Sequence, residues 1–241
     1  MKIIFIRHGD PDYVNDSLTE KGCIEAELLS KRIKNWKDDI TKIYVSPLGR
    51  AKKTCSYSLK ELDMSATELP WLKEFYYPTH HPEQNNTIHV PWDFYPKTWT
   101  SHKECFDKDA WVDTDLLCEN DIKTEAKNVF DSFDNLLKEY GYERNEEYYN
   151  VTKKHEKEPV LVFFCHLGVS LMIAGHLLGI SPFVLWHSCF VAPTSVTILG
   201  SEEREDGIAA FRTQVIGDTR HLYDGNEPIS SSGYFTDCFQ G

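Results

Sequence analysis

Two short apolar runs, each ending in a histidine, constrain this chain more than any other feature. Lys2-Ile3-Ile4-Phe5-Ile6 leads into Arg7-His8-Gly9, and Val160-Leu161-Val162-Phe163-Phe164 leads into Cys165-His166-Leu167-Gly168. Four and five consecutive β-prone apolar residues without polar alternation describe strands buried as in a parallel sheet held between helices, and the run from Val160 is covered on both faces. Chemistry in such sheets gathers beyond the carboxyl ends of the strands, and both histidines stand there.

Segments of helical period alternate with the strands. Ser17-Leu18-Thr19-Glu20 has capping-box spacing, and Ile24, Leu28, Leu29 and Ile33 carry an apolar stripe to about Lys34. Lys42 to Val45 is a further strand, after which Ser46-Pro47 supplies a capping hydroxyl and a first-turn proline for a helix from Leu48 to about Leu59. Ile122, Ala126, Val129, Phe130, Phe133, Leu136, Leu137 and Tyr140 lie on one helical face that Gly141 stops, and Gly168 to Leu178 is a helix closed by Gly179. Ser195 to Leu199 and Ile208 to Ile216 read as an antiparallel hairpin turning at Asp206-Gly207. Glu143 to Glu158 reads as a polar loop.

The expected fold is therefore a three-layer α/β/α sandwich: a mostly parallel central sheet with an antiparallel C-terminal hairpin, one domain over residues 1–241. Phe75 to Cys118 breaks the rhythm. It holds Trp92, Trp99 and Trp111 with several Tyr, Pro and His and no sustained period, and is expected to be a lid-like insertion at about 75–118.

Composition limits the partners. With 241 residues and 41% hydrophobic content the chain can fill a core, and 26 basic against 38 acidic residues leave a net charge of -12. That balance excludes a basic face for nucleic acid or an anionic membrane, so an anionic substrate needs a local cationic pocket. No apolar run approaches the roughly 20 residues of a membrane span, and the N-terminal run is too short for a signal peptide. Seven cysteines without a Cys-x-x-Cys spacing read as reduced thiols in a cytoplasmic protein, and Asn85-Asn86-Thr87 and Asn150-Val151-Thr152 as chance glycosylation patterns.

Three segments carry chemistry. Arg7-His8-Gly9 joins a guanidinium fork for phosphate oxygens to an imidazole that can attack phosphorus and a glycine that admits close approach. Ser46-Pro47-Leu48-Gly49-Arg50-Ala51 opens a helix whose N-terminus favours an anion and adds a second fork. His166-Leu167-Gly168 repeats the strand, histidine, helix arrangement.

With Leu18-Thr19-Glu20-Lys21-Gly22, Ala26 and Thr54 in the same order, these motifs resemble the histidine phosphatase superfamily, also called the phosphoglycerate mutase-like family. The resemblance implies that His8 is transiently phosphorylated, that Arg7, Arg50 and His166 hold the transferred phosphoryl group, and that Glu74 is the proton donor. Leu167 stands where the family often has a second glycine and is expected to offer its backbone N–H. Asn15, one place later than the family's phosphate-contacting asparagine, is carried over with that offset. Phe75-Tyr76-Tyr77-Pro78 replaces the usual Gly-x-Trp-Glu-Gly.

The expected activity is a metal-independent, cofactor-free phosphomonoesterase acting on a small phosphorylated metabolite through a phosphohistidine. The alternatives are a phosphoglycerate mutase, whose Leu-Asn-Glu-Arg stretch is not found here, and a non-catalytic binding module of the same fold. Three further groups weigh less. His80, His81, Glu83 and His89 lack metal-ligand spacing, Cys165 alternates within an apolar strand as a packing residue, and Asp218 with His221 belongs to a polar loop, Gly217 to Leu222, that could reach the pocket rim.

Overall fold

A computed structural model of the chain describes residues 1–85, 87–117 and 121–240. Asn86, the end of the insertion from Cys118 to Asn120, and Gly241 lie outside them. The eight strands of the main sheet are β1 (Lys2–Arg7), β2 (Lys42–Val45), β3 (Ala66–Glu68), β4 (Tyr142–Asn145), β5 (Tyr148–Val151), β6 (Val160–Cys165), β7 (Val196–Glu205) and β8 (Ile208–Asp218). They lie in the order β3-β2-β6-β1-β7-β8-β5-β4. The neighbours β3, β2, β6 and β1 are parallel, whereas β7, β8, β5 and β4 continue the sheet antiparallel. The expected sandwich is the observed one.

Alternation along β1 sorts the core into two sides. Ile3 and Phe5 join Leu161, Phe163 and Cys165 in one apolar cluster, which α3 (Ile122–Glu139), α4 (Leu167–Leu178) and α5 (Pro182–Ser188) cover. Ile4 and Ile6 join Val162 and Phe164 in the other, beneath α1 (Glu20–Lys34) and α2 (Gly49–Leu62). The insertion sends Phe94, Trp99, Cys105 and Trp111 into the first cluster, so most of its aromatic content is core. The chain ends with α6 (Arg220–Asp224) and an irregular tail.

Four local expectations change. Thr19 rather than Ser17 caps α1, its Oγ1 accepting the Gly22 N–H at 3.0 Å, because Ser17–Leu18 pairs with Pro11–Asp12 as a short ribbon. Ile24 is exposed, and the buried stripe of α1 instead includes Gly22, Glu25, Ala26 and Leu29. The stretch read as a loop from Glu143 holds most of the β4–β5 hairpin, which closes the sheet edge. Gly217 to Leu222 is divided between the end of β8 and the start of α6. All six described cysteines are free thiols, and no described helix is long and apolar enough to cross a membrane.

Candidate active site

The parallel register builds the site. Arg7 pairs with Cys165 across β1 and β6, and Phe164 with Val45 across β6 and β2. The ladder runs one step further: the His8 N–H donates to the Cys165 carbonyl at 3.0 Å, and the Ser46 N–H to the Phe164 carbonyl at 2.9 Å. His8, His166 and Ser46 therefore stand side by side, each one residue past the end of three neighbouring parallel strands.

His8 is 2% exposed and its ring centroid is 5.1 Å from that of His166. Its Nδ1 lies 2.7 Å from the Gly9 carbonyl oxygen. A hydrogen on Nδ1 satisfies that carbonyl and leaves Nε2 as the lone-pair nitrogen. Burial first, then Arg7 and Arg50, hold His8 well below the usual imidazole range, so the ring is neutral at physiological pH.

The loop bearing His8 is fixed from three sides. The Gly9 N–H donates to Thr54 Oγ1 at 2.9 Å, and a Cβ on Gly9 would meet the Gly22 carbonyl oxygen at 2.7 Å, which reserves the position for glycine. The Thr194 N–H donates to the carbonyls of both Arg7 and His8, at 3.1 Å each, from a left-handed backbone with φ of 59°. His221 Nε2 lies 3.0 Å from Thr194 Oγ1 and buttresses that turn, its pKa pulled down by burial to about 3. The Asp-His pair read as a rim element instead meets at Arg32, which contacts Asp218 at 2.5 Å and His221 Nδ1 at 3.5 Å, while His221 Nε2 is turned to Thr194.

Beneath the loop, the Asp10 N–H donates to Glu25 Oε2 at 2.8 Å. Burial raises the Glu25 carboxyl from 4.5 to about 7, so the fold favours its neutral form. Between those values the unfolded chain has released the proton that the folded chain keeps, so stability is full below about 4.5 and declines by about 3 kcal/mol as the pH rises through 7. Glu25→Gln retains an acceptor for Asp10 and should flatten this part of the profile in urea melts from pH 5 to 8; an unchanged slope would assign it to another group.

Both arginines flank the histidines. Arg7 is 4% exposed and donates from one terminal nitrogen to the Val191 carbonyl at 2.8 Å. Arg50 pairs with Asp16 at 2.7 Å, and Asp16 Oδ2 also accepts the Gly49 N–H at 2.6 Å. Ser46, read from sequence as a helix cap, instead places its Oγ 2.7 Å from His166 Nε2, and Leu48 takes the cap position of α2. Around His8, Arg7 Nε, Arg50 Nε and His166 Nδ1 are buried without a protein partner. Buried polar atoms seldom stay unpaired, so three on groups surrounding one imidazole mark a place shaped for an oxygen-rich anion.

Glu74 lies at the opening of α4. Its carboxylate accepts the N–H groups of Phe75 (2.9 Å), Gly168 (3.3 Å) and Val169 (3.0 Å). Burial raises its pKa, while those three donors and Arg7 pull the other way. A Cβ on Gly168 would stand 2.3 Å from the Trp92 ring and 2.8 Å from Glu74 Oε1, so the glycine lets both side chains close on the helix end. Leu167 is buried at the first position of α4.

A cavity of about 730 Å³ opens onto His8, Arg50 and Glu74, with Tyr13, Trp92 and the tail residues Tyr234 and Phe235 in its wall. A second cavity of about 730 Å³, in the insertion beside His80, Glu83, Lys97 and His102, shares no lining residue with it. Asn15 is exposed, and its side-chain amide donates to Asp12 Oδ2 at 2.7 Å, so it does not gather with the other candidates. Trp99 is buried against His187 and Phe106, whereas Trp92 faces the cavity. Among the described residues no group of three or more His, Cys, Asp or Glu side chains is placed to hold a metal ion, and His81 instead stacks on Phe94 at 3.9 Å. Burial pushes the Cys165 thiol pKa up, in keeping with a packing role.

Sequence reasoning missed Ser46's partner, Thr194, the bond by which His221 supports it, and the tail. Ser46 already had a local explanation, and the others depend on long-range pairing. The tail is tied down by Ser230, whose Oγ donates to Asp10 Oδ1 at 2.5 Å, and by Tyr234, stacked on Phe190 at 4.6 Å.

A model of the histidine phosphatase superfamily (branch 1) matches residues 3–113. No curated protein sequence matches. Among solved structures, a mutant phosphoserine phosphatase from Entamoeba histolytica in complex with phosphoserine is 18% identical, with a TM-score of 0.59 over 92% of this chain and 98% of that one. A mycobacterial glucosyl-3-phosphoglycerate phosphatase is 18% identical with a TM-score of 0.58, covering 90% of this chain and 98% of its own. The alpha-ribazole phosphatase from Shigella flexneri is 17% identical with a TM-score of 0.54, covering 91% and 97%.

Proposed function

The chain carries the fold of the histidine phosphatases and their family match over residues 3–113, and from that premise we propose that it is a phosphomonoesterase working through a phosphohistidine. The observation that carries this reading is the unpaired buried nitrogen on each of Arg7, Arg50 and His166, three groups that neighbour a neutral His8. The phosphatase names of the neighbours in fold point the same way.

In the first step His8 Nε2 forms a bond to phosphorus as the bond from phosphorus to the alcohol oxygen breaks. The departing alkoxide takes the proton of Glu74, whose burial favours the protonated form. Water then attacks the phosphohistidine, gives its proton to the Glu74 carboxylate and returns His8. A loose phosphoryl transition state needs charge stabilisation and alignment: Arg7 and Arg50 supply the charge, and His166, held neutral chiefly by burial, supplies a hydrogen bond, with the Leu167 N–H at the start of α4 as a further donor. Asn15, turned to Asp12, has no part in this grip. We read residues 1–241 as one domain in which the insertion from Phe75 forms one wall of the site.

Phosphorylated metabolites offered as a panel, with phosphate release and isomer formation followed in the same reactions, test the assignment. Phosphate should appear in equal amount with free alcohol, in the presence of chelator as in its absence. Isomer formation outrunning phosphate release would make the chain a mutase, and no turnover with tight phosphate binding would make it a binding module.

A further inference from the structure

Large apolar side chains are usually scattered over a protein surface, and a contiguous group marks a contact site. Of the twelve large hydrophobic residues exposed in the described chain, Tyr13, Tyr76, Tyr234 and Phe235 all line the His8 cavity, at 64%, 59%, 46% and 86% exposure, with half-buried Trp92 beside them. With Trp92 counted they come from four separated parts of the sequence, Tyr234 and Phe235 being neighbours, so no single helix or strand pattern accounts for their gathering. Tyr76 and Phe235 make no ring contact with another aromatic residue among those described, although both stand at the mouth.

Charge narrows the choice of guest. Beyond Arg50, Lys73 is the one cation among the described lining residues, and it shares the wall with the carboxyl groups of Glu74 and Asp93. A leaving group with its own carboxylate would find Lys73 as its one cationic partner, beside the Asp93 carboxyl and with no guanidinium left over from the phosphate. A flat neutral ring would meet π-faces.

Resting on the phosphomonoesterase reading, we infer that the substrate is a phosphomonoester whose alcohol carries an aromatic or heteroaromatic ring on a short arm. The phosphate lies among Arg7, Arg50 and the two histidines, and the ring lies against Tyr76, Trp92 and Phe235. Aromatic faces gain from ring partners beyond simple area burial, which separates this guest from an aliphatic one of similar size.

The test compares 2-phenylethyl phosphate, 2-cyclohexylethyl phosphate, phosphoserine and glycerol 1-phosphate, all with alkyl leaving groups. The phenylethyl ester should exceed the cyclohexylethyl ester in kcat/KM by about fivefold and phosphoserine by about a hundredfold. In the double variant Tyr76→Ala, Phe235→Ala, whose side chains are exposed and not part of the core, the preference over the cyclohexylethyl ester should vanish and that over phosphoserine should shrink at least tenfold, and Tyr76→Phe should keep both. A phenylethyl ester no better than the cyclohexylethyl ester or phosphoserine, or a preference unchanged in the double variant, would overturn the inference. Acetyl phosphate, which has no ring, separates the two levels: its hydrolysis with a flat ester ranking rejects the ring alone, and inertness toward it and all four esters rejects the phosphatase reading. Calorimetric affinities of 3-phenylpropylphosphonate against 3-cyclohexylpropylphosphonate read the ring preference without turnover, and equal affinities reject it.

Discussion

A His8→Ala protein should lose turnover of every phosphomonoester by on the order of 10⁴-fold or more, because the substitution removes the only group proposed to bond with phosphorus. The fold should survive it. The backbone at His8 is held by the Thr194 N–H, by the Cys165 carbonyl and, one residue on, by Thr54, none of which needs the imidazole. Wild-type protein mixed rapidly with a radiolabelled substrate should carry an acid-labile, base-stable phosphoryl label that the variant lacks. Inorganic phosphate should still bind to the variant, since Arg7, Arg50 and His166 remain. Full turnover by folded His8→Ala would reject the phosphohistidine.

Replacing the acid separates substrates by their leaving groups. Glu74→Gln should slow alkyl phosphates by about 10² to 10³-fold but nitrophenyl phosphate much less, since a stable phenolate departs without a proton. The glutamine oxygen can still accept from Phe75 and Val169, so the end of α4 stays supported apart from the longer 3.3 Å bond of Gly168. Burial raises the Glu74 pKa, so alkyl-phosphate turnover should fall as the pH rises through that value, and the variant should lack this limb. Equal losses on both substrates would make Glu74 a support of α4. The search for the acid would then move to Asp93, which lines the same cavity, rather than to Glu83, which lines the one in the insertion.

Much of this site was legible because its backbone scaffold is local. Val160 to Phe164 can be little other than a strand covered twice, and a histidine straight after such a strand is at a functional edge whatever follows. The register that sets His166 beside His8 is a long-range property, so Ser46 looked like a helix cap when its hydroxyl belongs to His166. Glu25 broke the stripe expected of α1 because the Asp10 amide beneath the His8 loop needs an acceptor. Trp92 and Trp99 are alike as letters in an aperiodic segment. Only packing shows that Trp99 is closed in by His187 and Phe106 while Trp92 faces the cavity. The tail offered no periodic pattern, since the contacts that bring it to the site are long-range ones with Asp10 and Phe190.

The placing of β1 between β6 and β7 bears on how the chain emerges from the ribosome. The strand carrying Arg7 is made well before both of its partners, which lie at Val160 and beyond. At the usual 5 to 20 residues per second, its apolar length waits on the order of 10 to 40 seconds before either neighbour exists. α1, and later α3, can cover its faces before β6 is made, but its edges stay open to other chains or to chaperones. The two histidines therefore meet late, and a ribosome stalled before β6 releases a fragment with an exposed sticky strand and only one of them.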